Sequence, residues 1–361
     1  MRIFVTGGTG LVGTLLVKKL RERGDHVVLL TRRPEAAKQL GDGVTIVAGD
    51  PVQPGAWMDA VAACDAVVHL AGEGIFNRRW SQEFKDLIYS SRIKSTDNIV
   101  AALGKSAVPA GAPTPQDLPP AGQGPPSFLP LPLSGERPAP SSPLPTGGEG
   151  PPSFTPPTSA AESPGLRKRV LINGSAVGIY GPHGDEELTE ESLGGNDFLA
   201  KVCTDWEKAA LAATVHGVRV VLLRTGVVLD KNGGALAKML TPFKLFVGGP
   251  IGGGKQWMSW IHNEDEVGLI LFALDHPEIS GPLNATAPNP VTNREFGQAL
   301  GKVLGRPSFF PTPGFMLNIM LGESAQIVTT GQHVLPGKAL TAGYAFKFRE
   351  VEEALRDLMT K

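Results

Sequence analysis

The chain has 361 residues, 41% of them hydrophobic, and its formal net charge at pH 7 is -1. This length allows one large domain or two moderate ones, and the near-neutral charge argues against binding nucleic acid or an anionic membrane. There is no apolar run of about 18 residues to predict a membrane-spanning helix, no room for a signal peptide before a strand predicted from residue 2, and no disulfide framework from two cysteines. We therefore expect a cytoplasmic monomer or homodimer.

Short apolar strands alternate with helices in two stretches of the chain. The predicted strands are residues 2–6, 26–30, 45–48, 66–70, 170–173 and 218–223, and the predicted helices are 14–23, 81–103 and 198–213. Such alternation is typical of a parallel sheet with helices on both faces. The fold class predicted is therefore α/β, with a doubly wound parallel sheet of the Rossmann type.

A proline-rich stretch interrupts this alternation. Between Pro109 and Pro164 lie 18 of the 32 prolines, and the pentapeptide GPPSF occurs at 124–128 and again at 150–154. Such a composition lacks the apolar surface that would offset the entropy lost on ordering. We predict that residues 105–168 form a disordered, partly polyproline insertion, and a docking site for a partner is the alternative.

The last third of the chain has a different character. A glycine-rich loop at 248–254 precedes a helix predicted over 264–274, and Thr292 and Glu295 form a capping box at the start of the next helix. We predict a smaller C-terminal α/β cap domain that closes over the substrate. The predicted domains are 1–104 with 169–230 as the Rossmann domain and 231–361 as the cap, whose helix near 264–275 and strand near 282–287 are candidates to rejoin the Rossmann sheet.

Between the first strand and the first helix the sequence reads TGGTGLVG. Its spacing matches G-x-G-x-x-G, in which glycines permit a tight turn, close approach of the backbone to a pyrophosphate, and packing of the helix on the strand. The helix N-terminus then offers free N–H groups and the positive end of its dipole. The loop predicts a dinucleotide site rather than an ordinary turn, formed by Thr6, Gly7, Gly8, Thr9, Gly10, Leu11, Val12 and Gly13.

The residues after the second strand distinguish the two nicotinamide cofactors. An NAD site carries a carboxylate there for the ribose 2′-hydroxyl, whereas this chain has Thr31, Arg32 and Arg33. Guanidinium groups suit a 2′-phosphate, so we predict NADP(H), with NAD(H) less favoured and two solvated arginines as the alternative. Asp50, after the third strand, either reaches the adenine or starts a turn.

Other strand ends supply further candidates. Leu70, Ala71 and Gly72 follow the fourth strand and allow the backbone to run beneath a cofactor. Ser175 ends the fifth strand, at the carboxyl edge where ligands bind in such sheets. We expect its hydroxyl to hydrogen-bond a substrate carbonyl, and a simple turn serine is the alternative.

His262 and Asp265 lie three residues apart at a predicted strand-to-helix junction. The pair suggests a proton relay or two metal ligands, but no third ligand is apparent, so we predict no metal site. The simpler interpretation is that Asp265 or Asn263 caps the helix and that His262 supports a loop.

Five segments together resemble the extended short-chain dehydrogenase/reductase superfamily. They are TGGTGLVG at 6–13, LAGE at 70–73, GSAVGIYG at 174–181, LRTGVVL at 223–229 and WIHNEDEV at 260–267. The closer similarity is to its atypical, NAD(P)-dependent epimerase-like branch, whose members carry a C-terminal domain of uncharacterised function resembling residues 305–358. The resemblance covers nearly the whole chain except about 105–168. It implies that Ser175, Ala176, Arg224, Thr225 and Gly226 also line the cofactor.

The chain departs from the superfamily at the residues that transfer protons. Members usually use a serine with a Tyr-x-x-x-Lys pair, but none of the three tyrosines here is followed four residues later by lysine. Alignment on Glu207 places Leu199 at the tyrosine position and Cys203 at the lysine position. Arg92 stands where the fourth helix of the family carries its active-site asparagine, and the resemblance implies contact with the cofactor or with an anionic substrate.

Two functional hypotheses follow. The first is an NADP(H)-dependent oxidoreductase or epimerase acting on a small carbonyl or sugar-nucleotide-like substrate, in which Ser175 orients the carbonyl and Tyr180 or His262 donates the proton. The second is a non-catalytic NADP(H)-binding protein with a regulatory or redox-sensing role. The intact cleft loops favour the first hypothesis, and the missing tyrosine and lysine favour the second.

The insertion is expected to be dispensable for folding and cofactor binding. It connects a helix to a strand, and such a connection in a parallel α/β sheet lies at the edge opposite to the ligand. Closing a loop several times longer costs only about 1–2 kcal/mol. Replacing residues 105–165 by a short Gly/Ser connector should preserve the circular dichroism spectrum and the NADPH affinity, and a variant that fails to fold would contradict the prediction.

Overall fold

The computed structural model describes residues 1–41, 43–105, 169–311 and 322–360, apart from the side chains at 36 and 38. The predicted insertion, except for residue 105, lies outside the described residues. Those that are described cluster into one compact unit, and the domain boundaries given above stay predictions.

Short strands and amphipathic helices alternate along the described chain. The strands are β1 (Arg2–Thr6), β2 (His26–Thr31), β3 (Val44–Ala48), β4 (Ala66–His69), β5 (Val170–Ala176), β6 (Glu187–Leu188), β7 (Arg219–Thr225), β8 (Val227–Leu229), β9 (Trp257–Met258), β10 (Trp260–His262), β11 (Gly281–Ala285), β12 (Val291–Thr292) and β13 (His333–Val334). The helices are α1 (Leu11–Glu22), α2 (Pro34–Ala37), α3 (Trp57–Ala62), α4 (Gln82–Gly104), α5 (Phe198–Leu211), α6 (Gly234–Lys244), α7 (Asn263–Asp275), α8 (Asn293–Leu304), α9 (Gln326–Thr329), α10 (Gly337–Thr341) and α11 (Val351–Thr360). Short 3-10 helices cover Lys38–Leu40, Val177–Tyr180, Ala212–His216 and Gly322–Ala325.

Seven of these strands form one parallel sheet, in the order β3-β2-β1-β4-β5-β7-β11. One face buries apolar side chains against α1 and α7, and the other buries them against α3, α4 and α5. The predicted doubly wound α/β fold is therefore confirmed. The sheet gains its last strand from the C-terminal third of the chain, because β11 pairs with β7.

The strand order changes direction at β1, which pairs with β2 on one side and β4 on the other. Thr6, the last residue of β1, is in register with Leu30 and His69. In open parallel sheets a ligand binds beyond the carboxyl ends of the strands at such a switch point. A ligand is therefore expected beside the residues immediately after β1, β4, β5 and β7.

Local sequence signals set the ends of the later helices. Thr292 and Glu295 form the predicted capping box of α8, and Gly305 ends that helix in the left-handed conformation with a φ of 62°. The cap of α7 is different from the one we predicted. His262, rather than Asp265 or Asn263, is its N-cap, and its ring accepts a hydrogen bond from the backbone N–H of Glu264.

A second core lies beside the main sheet. It joins α6, α8 and α11 through buried apolar side chains that include Leu240, Phe296 and Leu355. The backbone N–H groups of Lys347 and Phe348 donate to the carboxylate of Asp265 on α7, which ties this core to the sheet. None of the described helices is long and apolar enough to cross a membrane.

Candidate cofactor site at the carboxyl edge of the sheet

The glycine loop after β1 lies directly against the end of β4. Gly7 has a φ of +72°, a conformation that side chains other than glycine rarely adopt. A Cβ atom there would also lie 2.8 Å from the carbonyl carbon of Leu70. The first glycine of the loop therefore allows both the turn and the close contact between two strand ends.

The last glycine of the loop allows α1 to pack on the strand, as the motif predicted. A Cβ atom on Gly13 would lie 2.1 Å from the carbonyl oxygen of Gly7. At Gly10 the corresponding atom would meet only that same oxygen, at 3.1 Å. Gly10 is the N-cap of α1, with no side-chain cap and no acidic residue in the first turn. The helix thus presents its first-turn N–H groups and its dipole with no side chain competing for them.

Open space adjoins this helix end. A groove of about 660 Å³ is lined there by Thr9, Gly10 and Leu11 together with Asp230 and Asn232. A Cβ atom on Gly233 would lie 2.8 Å from a methyl carbon of Leu11, so the segment before α6 covers one side of the loop. The loop is therefore accessible from one direction and enclosed from the other.

The prediction did not include the buried histidine behind the loop. The Nδ1 atom of His69 lies 2.6 Å from the Thr6 hydroxyl, and its Nε2 atom lies 3.0 Å from the hydroxyl of Ser95 on α4. Burial lowers the pKa of His69 to about 3, so the ring is neutral at physiological pH. The chain of hydrogen bonds fixes the ends of β1 and β4, and the only sequence signal was one polar residue in AVVHL.

The residues predicted to favour NADP(H) over NAD(H) lie at and after the end of β2. Thr31 is buried and its hydroxyl accepts a hydrogen bond from the backbone N–H of Arg33. The side chains of Arg32 and Arg33 are exposed, and neither makes an ion pair in the part of the chain that the structure describes. Asp50 accepts a hydrogen bond from the backbone N–H of Val52. This contact belongs to a turn, which was one of the two roles predicted for Asp50, the other being contact with the adenine.

The residues after β4 adjoin the arginine of α4. The backbone N–H of Ala71 donates to the Thr6 hydroxyl. A Cβ atom on Gly72 would lie 3.3 Å from the guanidinium carbon of Arg92. Arg92 stacks on the ring of Trp206, 5.1 Å from its centroid, so the guanidinium lies between the end of β4 and α5.

A buried ion pair holds the serine at the end of β5. Arg224 on β7 donates through Nε and Nη2 to the two carboxylate oxygens of Glu207, at 2.8 and 2.9 Å. The Ser175 hydroxyl donates to Oε1 of the same carboxylate, at 2.7 Å. Burial opposes the charge of Arg224, but its hydrogen bonds to Glu207 raise the pKa above the ordinary value. The Ser175 hydroxyl therefore donates its hydrogen to a carboxylate. To form the predicted hydrogen bond to a substrate carbonyl, the hydroxyl would have to rotate and break this bond.

Tyr180 belongs to the same buried network. Its ring is fully buried, and its hydroxyl accepts from Nη1 of Arg224 and donates to Oδ1 of Asn284. Burial raises the pKa of this hydroxyl. This geometry gives no support to the predicted role of Tyr180 as a proton donor, because both its hydrogen-bonding directions end on protein groups.

His262 lies in a different part of the molecule from that network. Its fully buried ring stacks on Phe348, with the centroids 3.9 Å apart. Because Nδ1 accepts from Glu264, Nε2 carries the hydrogen of the neutral ring, and it lies 3.3 Å from a carboxylate oxygen of Asp357 on α11. The predicted alternative, a structural histidine, describes this placement better than a proton donor does.

Thr225 and Gly226, predicted to line the cofactor, follow Arg224 at the carboxyl end of β7. The Thr225 hydroxyl donates to Oε1 of Glu266 on α7, at 2.7 Å. Glu266 is 1% exposed, its Oε2 atom makes no hydrogen bond among the described residues, and burial raises its pKa to about 8. Glu266 is not among the predicted site residues, because one acid among the three in the first turn of a helix is typical of a surface position.

The residues at the aligned tyrosine and lysine positions offer no acid–base group. Leu199 is half-buried against Gly178, and Cys203 is buried, which raises the pKa of its thiol to about 12. A separate cavity of about 400 Å³ lies at the N-terminal ends of α4 and α5, where its lining includes Trp80, Lys85 and Phe198. The structure thus brings Ser175, Tyr180 and Arg224 into one network, and Gly72 and Arg92 into another.

Comparison with known proteins matches both ends of the chain to family models. Residues 3–111 match the NAD dependent epimerase/dehydratase family, and residues 312–358 match a domain of unknown function, DUF1731. The Epimerase family protein SDR39U1 homolog, chloroplastic, of Arabidopsis thaliana is 38% identical over 359 residues, covering 99% of this chain and 87% of its own length. The Epimerase family protein SDR39U1 of Homo sapiens is 33% identical over 363 residues, covering 99% of this chain and all of its own length.

Solved structures give the same result. The crystal structure of human epimerase family protein SDR39U1 (isoform 2) with NADPH has a TM-score of 0.73 and 31% identity, and the match covers 100% of both chains. A UDP-glucuronic acid 4-epimerase from Bacillus cereus, with a TM-score of 0.68 and 14% identity, shares the fold.

The free energy of unfolding should decrease as pH rises because of Glu266. An acid whose pKa is raised from 4.5 in the unfolded chain to about 8 in the native state binds more protons when folded. Unfolding free energy therefore decreases as pH rises from about 4.5 to about 8, by up to ~5 kcal/mol at ~1.4 kcal/mol per pKa unit. Glu266→Gln, which keeps an acceptor for Thr225, should remove this decrease in urea unfolding measured from pH 5 to 8.5.

The exposed Glu83 on α4 provides a matched control. Glu83→Gln loses a carboxylate from the surface and should keep the wild-type pH profile. Identical profiles for wild type and Glu266→Gln would show that the buried acid does not govern the pH dependence.

Proposed function

The chain belongs to the NAD-dependent epimerase/dehydratase family, and from that membership and the geometry of the glycine loop we propose that it binds NADP(H) at the carboxyl edge of its main sheet. The observation that carries the proposal is the N-terminus of α1, capped by Gly10 with no side-chain acceptor and no acidic residue in its first turn. A pyrophosphate satisfies such N–H groups and is attracted by the helix dipole. The NADPH in the crystal structure of the human relative supports the same ligand.

The choice of NADP(H) over NAD(H) rests on Arg32 and Arg33. They follow β2, which lies beside β1, and their guanidinium groups are exposed and free of described carboxylate partners. A 2′-phosphate gives such a group charge-assisted, bidentate hydrogen bonds, whereas a 2′-hydroxyl gives it little.

Binding should discriminate between the two cofactors. A hydrogen bond to a charged group contributes about 1.5–3 kcal/mol, so Arg32→Ala should weaken NADPH binding by roughly ten-fold to over a hundred-fold and leave NADH binding unchanged. Fluorescence titration of both cofactors measures this, and Arg33→Ala tests the neighbouring guanidinium. Equal affinities of the wild-type protein for NADPH and NADH would contradict the assignment.

We further propose that the protein acts as an NADP(H)-binding regulatory or redox-sensing protein rather than through acid–base catalysis by Ser175, Tyr180 or His262. The three groups expected to serve a carbonyl are engaged by Glu207, by Arg224 with Asn284, and by Glu264 respectively. The aligned tyrosine and lysine positions carry Leu199 and Cys203. Bound NADP(H) supplies hydride chemistry, but these residues supply no matching proton.

The second candidate is an NADP(H)-dependent oxidoreductase or epimerase acting on a small carbonyl or sugar-nucleotide-like substrate. The observation in its favour is the guanidinium of Arg92 between β4 and α5, since a fixed cation beside the cofactor stabilises negative charge on a carbonyl oxygen. This candidate requires the reacting proton to come from a group other than the three named above.

Turnover measurements separate the two candidates. With NADPH and panels of aldehydes, ketones and nucleotide sugars, absorbance at 340 nm should stay at the rate of the protein-free control, and chromatography should find no epimerised sugar nucleotide. Ser175→Ala should bind NADPH like wild type. Turnover of any panel member that Ser175→Ala abolishes would overturn the regulatory assignment in favour of the second candidate.

A further inference from the structure

Arg92 is held in one orientation by groups of the protein backbone. Its Nη1 atom donates to the carbonyl oxygens of Glu73 and Ile88, each at 3.0 Å. The two hydrogens of Nη1 are thereby used. A guanidinium has five N–H hydrogens, so one on Nε and two on Nη2 remain.

The aromatic ring of Trp206 supports the same guanidinium from α5. The ring is itself fixed, because its Nε1 atom donates to the hydroxyl of Thr96 at 2.9 Å. Its far edge reaches the end of β5, where a Cβ atom on Gly174 would lie 3.1 Å from the ring. Arg92 is therefore joined through one rigid side chain to the residue that precedes Ser175.

The charge of Arg92 is not neutralised in the described structure. Arg92 makes no ion pair with a described carboxylate, and the nearby Glu73 accepts instead from the side chain of Asn77. Burial lowers the pKa of Arg92, so its charge is held in a poorly solvated place. Nε and Nη2 make no hydrogen bond to a described group, and neither atom is completely enclosed.

We propose that Arg92 binds the carboxylate of a second ligand, substrate or effector, next to the bound cofactor. The proposal rests on NADP(H) binding at the carboxyl edge of the sheet, as argued above. The free Nε–H and one Nη2–H lie on the same side of the guanidinium and are parallel, which matches the two oxygens of a carboxylate. A phosphate can use the same edge, but the two coplanar donors match the two coplanar oxygens of a carboxylate more closely than a tetrahedral phosphate group.

This assignment separates Arg92 from the cofactor contacts. The pyrophosphate is provided for by α1 and the 2′-phosphate by Arg32, so a third anion site is free for another molecule. Ligands of the predicted class are small carboxylic acids, with or without a neighbouring carbonyl. An uncharged aldehyde or ketone leaves the guanidinium without a counter-ion and should bind more weakly.

Calorimetric titration of oxalate into the protein, with and without saturating NADP⁺, tests the proposal. Oxalate should bind the wild-type protein, and Arg92→Met should raise its dissociation constant at least ten-fold. Arg92→Lys, which keeps the charge but loses the paired donors, should fall between the two. Lys94→Met, which removes an exposed cation two residues along α4, should match wild type. Thermal unfolding of each variant confirms that it is folded.

Other outcomes overturn the proposal in distinguishable ways. Equal oxalate binding by wild type and Arg92→Met, or none by wild type, removes the site. Inorganic phosphate binding more tightly than oxalate removes the carboxylate assignment. An NADPH affinity that falls ten-fold in Arg92→Met makes Arg92 a cofactor contact instead. A wild-type protein that binds oxalate but not NADPH leaves the Arg92 site in place and refutes the proposed cofactor.

Discussion

The bidentate ion pair between Arg224 and Glu207 is the interaction on which the centre of the site depends. It joins β7 to α5, and through the same carboxylate it fixes the hydroxyl of Ser175 on β5. Removing one partner of a buried ion pair costs roughly 3–5 kcal/mol, because the other charge is left in a poorly solvated place. The pair therefore constrains which residues can stand around it. Polar neighbours such as Ser175 and Tyr180 have to satisfy the remaining donors and acceptors of the ion pair.

This constraint explains why the hydroxyl of Ser175 is not free to hydrogen-bond a ligand. In a sheet of this type the end of β5 is where a ligand is expected, and Ser175 lies there. The carboxylate below it is a stronger acceptor than a neutral carbonyl oxygen, so the hydroxyl points into the protein. Tyr180 is constrained likewise, since its oxygen lies between Arg224 and Asn284. In this arrangement neither hydroxyl is available to a ligand.

The sequence predicted well what depends on neighbours along the chain. The first six strands of the main sheet, the glycine loop and the capping box of α8 all follow from short-range patterns, and the structure contains each of them. It predicted poorly what depends on partners distant in sequence. Nothing in the spacing of Ser175, Glu207 and Arg224 indicates that they meet, and nothing around His262 distinguishes a helix cap from a proton donor. Glu266 was missed for the same reason, because its burial is decided by the sheet under α7 and not by its helical neighbours.

The shell around the buried ion pair is completed late in the chain. Glu190 accepts from the backbone N–H of Asn284 and from that of Lys338, and its own carbonyl oxygen accepts from Arg224. Both charges are therefore synthesised well before Asn284 and Lys338, which belong to the segments that enclose them. Contacts between such distant residues form slowly, because long loops have to close first. During synthesis the Arg224–Glu207 pair cannot be fully enclosed until Lys338 has emerged, so the buried network is completed late in folding.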